Sequence, residues 1–134
     1  MPKISFLLAW TVGCIMGTTL FPMQSLAQTN GDARKGAALF ASHYAECHSM
    51  KDGKHKKGPS LFLTIGTKAG QQPGFSYSEA MKDSNLTWTA ESLARYITNP
   101  KVALPGGKMK YDGMDAASER TDLIAYLAVQ GKLP

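Results

Sequence analysis

The sequence predicts an all-α fold, a small domain of three main helices joined by long loops. Three segments space their apolar residues at helical intervals, and each has a capping or helix-breaking residue at one end. Between them, residues 48–74 and 99–114 are rich in glycine, proline and lysine and lack the alternation typical of strands. With 134 residues, the chain is long enough for one domain only.

The first predicted helix covers residues 32–44. Asp32 is placed to cap its N-terminus, where a carboxylate also complements the helix dipole. Gly36 leaves room for a close backbone contact on the apolar side of this helix. That side is formed by Ala33, Ala37, Phe40, Ala41 and Tyr44.

The second and third predicted helices cover residues 89–98 and 118–130. The second ends at Asn99-Pro100, because proline disfavours helical backbone in the residue before it. Gly131 stands in the C-terminal capping place of the third. A shorter helical turn is predicted at 78–81. The inward positions are Leu93, Tyr96 and Ile97 in the second helix and Leu123, Ile124, Leu127 and Ala128 in the third.

Residues 1–27 are typical of a signal peptide. Lys3 precedes an uncharged run over 4–21, and Ser25-Leu26-Ala27 supplies the small residues of a cleavage site. We therefore expect a mature domain at 28–134, a periplasmic location, and a net charge that falls from +5 to +4 with the loss of Lys3. The alternative is an uncleaved anchor, since 4–21 reaches the lower length limit for spanning a bilayer. After cleavage we expect no stable membrane insertion.

Cleavage would remove Cys14 and leave Cys47 as the single cysteine, so no disulfide could form within the mature chain. Three short helices also bury too little apolar surface to offset the ordering of such long loops. We expect the domain to fold around a metal, a cofactor or a partner. Nucleic acid is excluded, because the positive charge is modest and no basic helix or aromatic array accompanies it.

The strongest candidate site is the dipeptide Cys47-His48, directly after the first helix. It matches the last part of the haem-attachment pattern Cys-x-x-Cys-His, with Tyr44 in place of the first cysteine. The Pro59 carbonyl is placed to accept a proton from His48 Nδ1, which would leave Nε2 for a metal. Met109 lies on a loop rich in proline and glycine, without the spacing of a core residue. Together His48 and Met109 would form a nitrogen and thioether pair of axial ligands.

From Gly31 to Leu133 the chain resembles class I cytochrome c of the mitochondrial and alphaproteobacterial kind. The resemblance covers essentially the whole predicted mature domain. The matching residues are Gly31-Asp32, Lys35-Gly36, Leu39-Phe40, Cys47-His48, Lys54-His55-Lys56, Gly58-Pro59, Gly70-Gln71, Pro73-Gly74-Phe75, Tyr77, Thr87-Trp88, Tyr96, Asn99-Pro100-Lys101, Pro105-Gly106, Lys108-Met109 and 122–127.

This resemblance implies a cytochrome c-like domain wrapped around haem c. Cys47 would form a thioether to a haem vinyl group, and His48 and Met109 would bind the iron from opposite sides. Tyr77 and Trp88 would donate hydrogen bonds to a buried haem propionate, because buried phenol and indole groups require acceptors. By the same resemblance, Pro59 would orient His48, Tyr96 would lie beside the Met109 sulfur, and Gly36 and Phe40 would meet Leu123 and Tyr126 where the first and last helices cross.

The sequence departs from the family at four positions, which are Tyr44, Leu63, Thr67 and Met81. Because Tyr44 replaces the first cysteine, we expect a single thioether, with Tyr44 packed edge-on against the unattached vinyl group. Non-covalent haem, or a chain that no longer binds haem, are the alternatives. Thr67 stands where an arginine is usual near the propionates, and Leu63 where glycine is usual, which predicts a different backbone path there. Met81 replaces a polar residue near the distal ligand. The missing cation would lower the reduction potential and a drier pocket would raise it.

The implied function is one-electron transfer between respiratory or photosynthetic redox complexes, without enzymatic activity, by a monomer. The expected partners are acidic surfaces of redox proteins, such as a cytochrome bc1-type reductase, a terminal oxidase or a reaction centre. The cations expected to dock there are Lys54, Lys56, Lys57, Lys101, Lys108 and Lys110. The alternative is a haem protein with a displaceable Met109 and peroxidase-like activity, or a thiol enzyme with Cys47 activated by His48. A copper carrier using Cys47, two histidines and Met109 is disfavoured, because it predicts a β-sandwich of alternating strands, which this sequence lacks.

Overall fold

The computed structural model describes residues 30–130, so the predicted leader at 1–27 and the predicted cap Gly131 lie outside the described residues. The elements, in chain order, are α1 (Ala33–Leu39), a π-helical turn (Phe40–Tyr44), α2 (Glu79–Lys82), α3 (Ala90–Thr98), α4 (Pro100–Ala103) and α5 (Ala117–Gln130). Over this span there is no strand, only an isolated antiparallel bridge between Lys68 and Thr87. The all-α prediction is confirmed. None of the described helices has the length and apolar character needed to cross a bilayer.

The first predicted helix is divided into two parts. Asp32 caps α1, with its side chain accepting hydrogen bonds from the backbone N–H groups of Arg34 at 2.9 Å and Lys35 at 3.4 Å. The turn that follows is wider, because the Ala45 N–H donates to the Phe40 carbonyl five residues back, at 2.8 Å. The inner side is therefore formed by Gly36, Phe40 and Tyr44, and Ala41, predicted to face inward, is exposed.

Two adjacent caps define α3 and α4. Thr89 and Ser92 form a reciprocal capping box at the start of α3. Asn99 ends α3 and then caps α4, where its side chain accepts from the Val102 N–H at 3.2 Å and Pro100 occupies the first helical position. The prediction of a loop throughout 99–114 is wrong for this turn of helix. The predicted helices at 89–98 and 118–130 are confirmed, as is the short turn, which forms α2 after the cap Ser78.

The packing of α1 against α5 forms the main helix crossing. The Asp32 N–H donates to Asp122 Oδ1 at 2.7 Å, and the Phe40 and Tyr126 rings lie 5.7 Å apart. This crossing joins one hydrophobic core, which α3 and the segment before α5 complete. Its buried members are Phe40, Tyr44, Leu93, Tyr96, Ile97, Met114, Leu123, Ile124 and Leu127.

Candidate functional site

The core opens into a cavity of about 460 Å³ between the helices and the two long loops. That volume lies within the range of small-molecule and cofactor sites. All eight candidate residues from the sequence line this one cavity, although they come from separate parts of the chain. They are Tyr44, Cys47, His48, Pro59, Tyr77, Trp88, Tyr96 and Met109.

The imidazole of His48 is buried and held in one orientation. His48 Nδ1 lies 2.7 Å from the Pro59 carbonyl oxygen, which can only accept, so Nδ1 carries the proton and Nε2 keeps its lone pair. Burial lowers the pKa of His48; the Pro59 hydrogen bond opposes this, and the charge of Lys56 adds to it. A β-carbon at Gly58 would lie 2.3 Å from His48 Cε1, so only glycine leaves space for the ring. His48 is thus a neutral nitrogen donor at neutral pH.

The turn that carries Cys47 is anchored by the backbone of Tyr44. The Tyr44 carbonyl accepts from the N–H groups of Cys47 at 3.0 Å and His48 at 2.8 Å, and the Gly58 N–H donates to the Cys47 carbonyl at 2.7 Å. Cys47 is half-buried with a free thiol. The nucleophilic sulfur and the imidazole therefore face the cavity from one rigid turn.

The side chain of Tyr44 is 3% exposed, and its hydroxyl has no hydrogen-bond partner among the described residues. Burial raises the pKa of Tyr44 far above its usual value. The nearby Tyr111 hydroxyl adds to this rise, although the two hydroxyls do not meet in hydrogen-bond geometry. The Tyr44 ring lies 5.1 Å from the Tyr111 ring and is stacked on Phe40 at 6.4 Å.

The cavity is also lined by the aromatic side chains of Phe75, Tyr77, Trp88 and Tyr96. Trp88 and Tyr96 pack together, with ring centroids 5.1 Å apart. Burial raises the pKa of Tyr96, and it also raises that of Tyr77, where a backbone hydrogen bond at Gln72 acts in the opposite direction. Both phenols therefore stay protonated at neutral pH and remain able to donate.

Leu63 and Thr67 differ from what the resemblance leads one to expect. Leu63 has a φ of +55°, a left-handed conformation that favours glycine, and its side chain is 46% exposed. The leucine is therefore held in the backbone conformation that glycine favours, so the prediction of a different backbone path at Leu63 is wrong. Thr67 lines the cavity and donates to the Thr64 carbonyl at 2.8 Å, while the neighbouring Lys68 also lines the cavity.

The predicted docking lysines are all exposed, but several already have partners. Lys57 is ion-paired with Glu46, Lys56 donates to the Ala45 carbonyl, and Lys101 pairs with Asp112 at 2.9 Å. Within residues 30–130, Lys108 and Lys110 form no ion pair. These two lysines flank Met109 and line the cavity, so they are the cations best placed to act at its opening.

Sequence reasoning missed Tyr111 as a residue of the site. Tyr111 is half-buried, lines the cavity and lies two residues after Met109. An aromatic residue so close to the candidate ligand Met109 was the sequence signal that could have identified it. The copper ligand set is not brought together: in the part of the chain that the structure describes, no group of three His, Cys, Asp or Glu side chains converges.

Comparison with known proteins identifies the family. Cytochrome c of the fungus Gibberella zeae is 45% identical over 98 residues, which is 72% of this chain and 92% of that protein. The chain belongs to the cytochrome c family. Cytochrome c of Euglena viridis is 41% identical over 97 residues, 72% of this chain and 95% of that protein. No family model matches the chain.

A solved structure agrees with this membership. Cytochrome cH from Methylobacterium extorquens has a TM-score of 0.69 and 37% sequence identity, and the match covers 74% of this chain and 99% of that one. The cytochrome c-like fold is therefore confirmed. Family membership supports a haem-containing electron carrier and implies covalently bound haem c.

The residues present fit a haem. The cavity is largely apolar, and its lining includes the neutral imidazole of His48, the thioethers of Met81 and Met109, and the free thiol of Cys47. Glycine at position 58 keeps the space that the imidazole needs. A nitrogen and thioether pair is the axial set of cytochromes c. Nothing lining the cavity contradicts the cofactor that the family implies.

Proposed function

We propose that this protein is a one-electron carrier whose haem c would be held by His48 and Met109 as iron ligands and by Cys47 through one thioether. Tyr77 and Trp88 would hold a propionate, and Tyr96 would lie beside the Met109 sulfur. The single observation that carries the proposal is the fixed imidazole of His48, bonded through Nδ1 to Pro59 in a cavity that Met109 also lines.

The chain's own groups perform four tasks in this function. His48 presents a neutral Nε2, because Pro59 holds the proton at Nδ1. Cys47 supplies the sulfur for attachment, the protonated phenols donate hydrogen bonds, and the apolar lining excludes water. When bound, haem supplies the one-electron iron couple. If His48 and Met109 both bound the iron, no ligand position would be left for a substrate, which favours electron transfer over catalysis.

Attachment through one sulfur follows from Tyr44. Its phenol stands three residues before Cys47, where the family pattern has its first cysteine, and it lines the same cavity. A single thioether would still resist extraction. Acid–acetone treatment is expected to leave the haem on the polypeptide, whereas complete extraction would contradict this part of the proposal.

The ligand assignment is tested by two matched methionine variants. Met109 and Met81 both line the cavity, and both are half-buried. The oxidised protein is expected to show the weak far-red absorption band that reports thioether–iron coordination. Met109→Leu should abolish the band, and Met81→Leu should retain it. A band that survives in Met109→Leu would assign the sixth ligand to another group.

The partners follow from charge and position. Lys108 and Lys110 lie at the cavity without an ion pair in the described part of the chain, so they would attract an acidic surface to the haem edge. A cytochrome bc1-type reductase, a terminal oxidase or a reaction centre would present such surfaces. Residues 1–27 would direct the protein to the periplasm, where it would act as a monomer.

A second function, peroxidase-like activity, is favoured by one observation. Within residues 30–130, no backbone N–H or carbonyl group from Lys108 to Gly113 takes part in a hydrogen bond. A segment held only by side chains opens more easily than one in a hydrogen-bonded element. Peroxide-dependent oxidation of a phenolic dye tests this function. A rate that does not exceed that of free haem would reject it.

A further inference from the structure

We propose that Tyr44 is a positioning residue, whose ring holds Tyr111 and thereby fixes the Met109 loop (residues 105–113) against the turn that carries Cys47 and His48. The inference rests on the proposed function and deepens it. It assigns to Tyr44, which stands where the family has its first cysteine, a role in keeping Met109 on the iron. The contact that carries it is the 5.1 Å separation of the Tyr44 and Tyr111 rings, which are tilted by 52°.

The Met109 loop has few other attachments. Its last backbone hydrogen bond on the N-terminal side joins the Gly107 N–H to the Leu104 carbonyl at 3.1 Å, and the next one joins the Met114 N–H to the Ile97 carbonyl at 2.9 Å. Between them, Lys101 and Asp112 form an ion pair whose side chains are 64% and 97% exposed. Such exposed pairs stabilise little. Side-chain packing must therefore hold the loop.

Tyr44 is suited to this task because it is itself immobilised. Its ring is stacked on Phe40 with an interplanar angle of 12°, and Phe40 packs against Tyr126 of α5 at 5.7 Å. Its carbonyl accepts from the N–H groups of Cys47 and His48. The same residue therefore joins the helix crossing, the His48 turn and, through Tyr111, the Met109 loop.

The Tyr44 and Tyr111 hydroxyls lie near each other without meeting in hydrogen-bond geometry, so the ring contact is the one that holds the loop. The Tyr44 hydroxyl has no hydrogen-bond partner in the described part of the chain, and a buried hydroxyl without a partner is destabilising. The ring alone should therefore suffice, so Tyr44→Phe is expected to hold the loop as well as tyrosine does. This expectation separates positioning by the ring from any role of the phenol proton.

Competition between Met109 and added imidazole tests the proposal. Imidazole titrations of the oxidised, haem-loaded protein are followed by loss of the far-red band. Tyr44→Ala and Tyr111→Ala are expected to bind imidazole roughly two- to tenfold more tightly than the unmodified protein, as the loss of one aromatic pair predicts. Tyr44→Phe should match the unmodified protein. Tyr111→Ala keeps the test valid if Tyr44→Ala does not fold.

Tyr126→Ala is the matched control. It also truncates a tyrosine that packs against Phe40, but Tyr126 is not the residue that contacts Tyr111 of the Met109 loop. It is expected to lower thermal stability and to change imidazole affinity much less than Tyr44→Ala does, because Phe40 and the Tyr44–Tyr111 contact remain. If Tyr126→Ala raises the affinity as much as Tyr44→Ala, or if neither Tyr44→Ala nor Tyr111→Ala changes it, the positioning role is wrong.

Trypsin cleavage after Lys108 and Lys110, which are both exposed, separates this proposal from the ligand assignment. If the far-red band is absent from the unmodified protein, the assignment of Met109 fails, but the cleavage rate still reports on the loop. Faster cleavage in Tyr44→Ala than in Tyr126→Ala, with the slower rate restored in Tyr44→Phe, supports the positioning role. Equal cleavage rates in all three variants would overturn it.

Discussion

Gly36 of α1 lies against Asp122 of α5 with no room for a side chain. A β-carbon at Gly36 would stand 2.0 Å from the Asp122 carbonyl oxygen and 2.7 Å from Tyr126 Cβ. The same crossing brings Phe40 to Tyr126, and Phe40 carries the stacked Tyr44 ring at the edge of the cavity. The closeness of the two helices therefore determines where the cavity wall lies.

Gly36→Ala is expected to lower the free energy of unfolding by about 1–3 kcal/mol, because the methyl group would force two backbones apart. Helix propensity alone predicts the opposite, an increase of roughly 1 kcal/mol in the free energy of unfolding. Denaturant unfolding measures the difference. Ala38→Gly, at an exposed position of α1, is the control and should lose about 1 kcal/mol. A more stable Gly36→Ala variant would refute the close helix contact.

Leu63→Gly is expected to raise the free energy of unfolding by about 0.5–1 kcal/mol. The φ of +55° at Leu63 strains a residue with a β-carbon, and this strain exceeds the entropy that glycine adds to the unfolded chain. Leu61→Gly, at a half-buried position with ordinary φ, should destabilise the protein. Thermal unfolding of both variants measures whether stability rises in Leu63→Gly and falls in Leu61→Gly. An equal loss of stability in the two variants would show that Leu63 is not strained.

Gly58→Ala is expected to impair haem binding, because its β-carbon would lie 2.3 Å from His48 Cε1 and displace the imidazole. The haem content per polypeptide, measured by absorbance after purification, should fall at least several-fold. Lys54→Ala changes an exposed side chain in the same loop and should retain full loading. Full loading of Gly58→Ala would mean that the position of His48 is not fixed by this contact.

Charge reversal at the cavity opening is expected to slow reaction with an acidic redox partner. Lys108→Glu should lower the second-order rate constant roughly tenfold at low ionic strength, with the difference shrinking as salt is added. Arg34→Glu makes the same change in charge at the start of α1, away from the cavity lining, and should alter the rate about twofold or less. Equal effects of the two variants would indicate attraction by net charge instead of by a docking surface.

The sequence predicted what local patterns determine. Asp32, Thr89 and Asn99-Pro100 mark helix ends through short-range hydrogen bonding and backbone sterics. The helices α3 and α5, and α1 taken together with the π-helical turn, lie within one residue of their predicted ends. The family resemblance predicted that Met109 and His48 lie at one site, and both line the same cavity. Both inferences depend on residue types at fixed spacings along the chain.

Features set by tertiary packing were not predicted. The wide turn at Phe40–Tyr44 depends on how α1 meets α5, so helical periodicity alone placed Ala41 on the wrong side. The contact between Tyr44 and Tyr111 joins residues far apart in sequence, and no local sequence pattern predicts that their rings meet. The hydroxyl without a partner on Tyr44 is likewise a property of the assembled cavity.

The pyridine haemochrome spectrum of the purified protein, combined with its intact mass under denaturing conditions, tests the central claim most directly. One haem mass is expected to stay on the polypeptide, and the spectrum is expected to correspond to one saturated and one free vinyl group. A folded polypeptide of bare mass with no haemochrome signal, or a spectrum with both vinyl groups free, would contradict the claim.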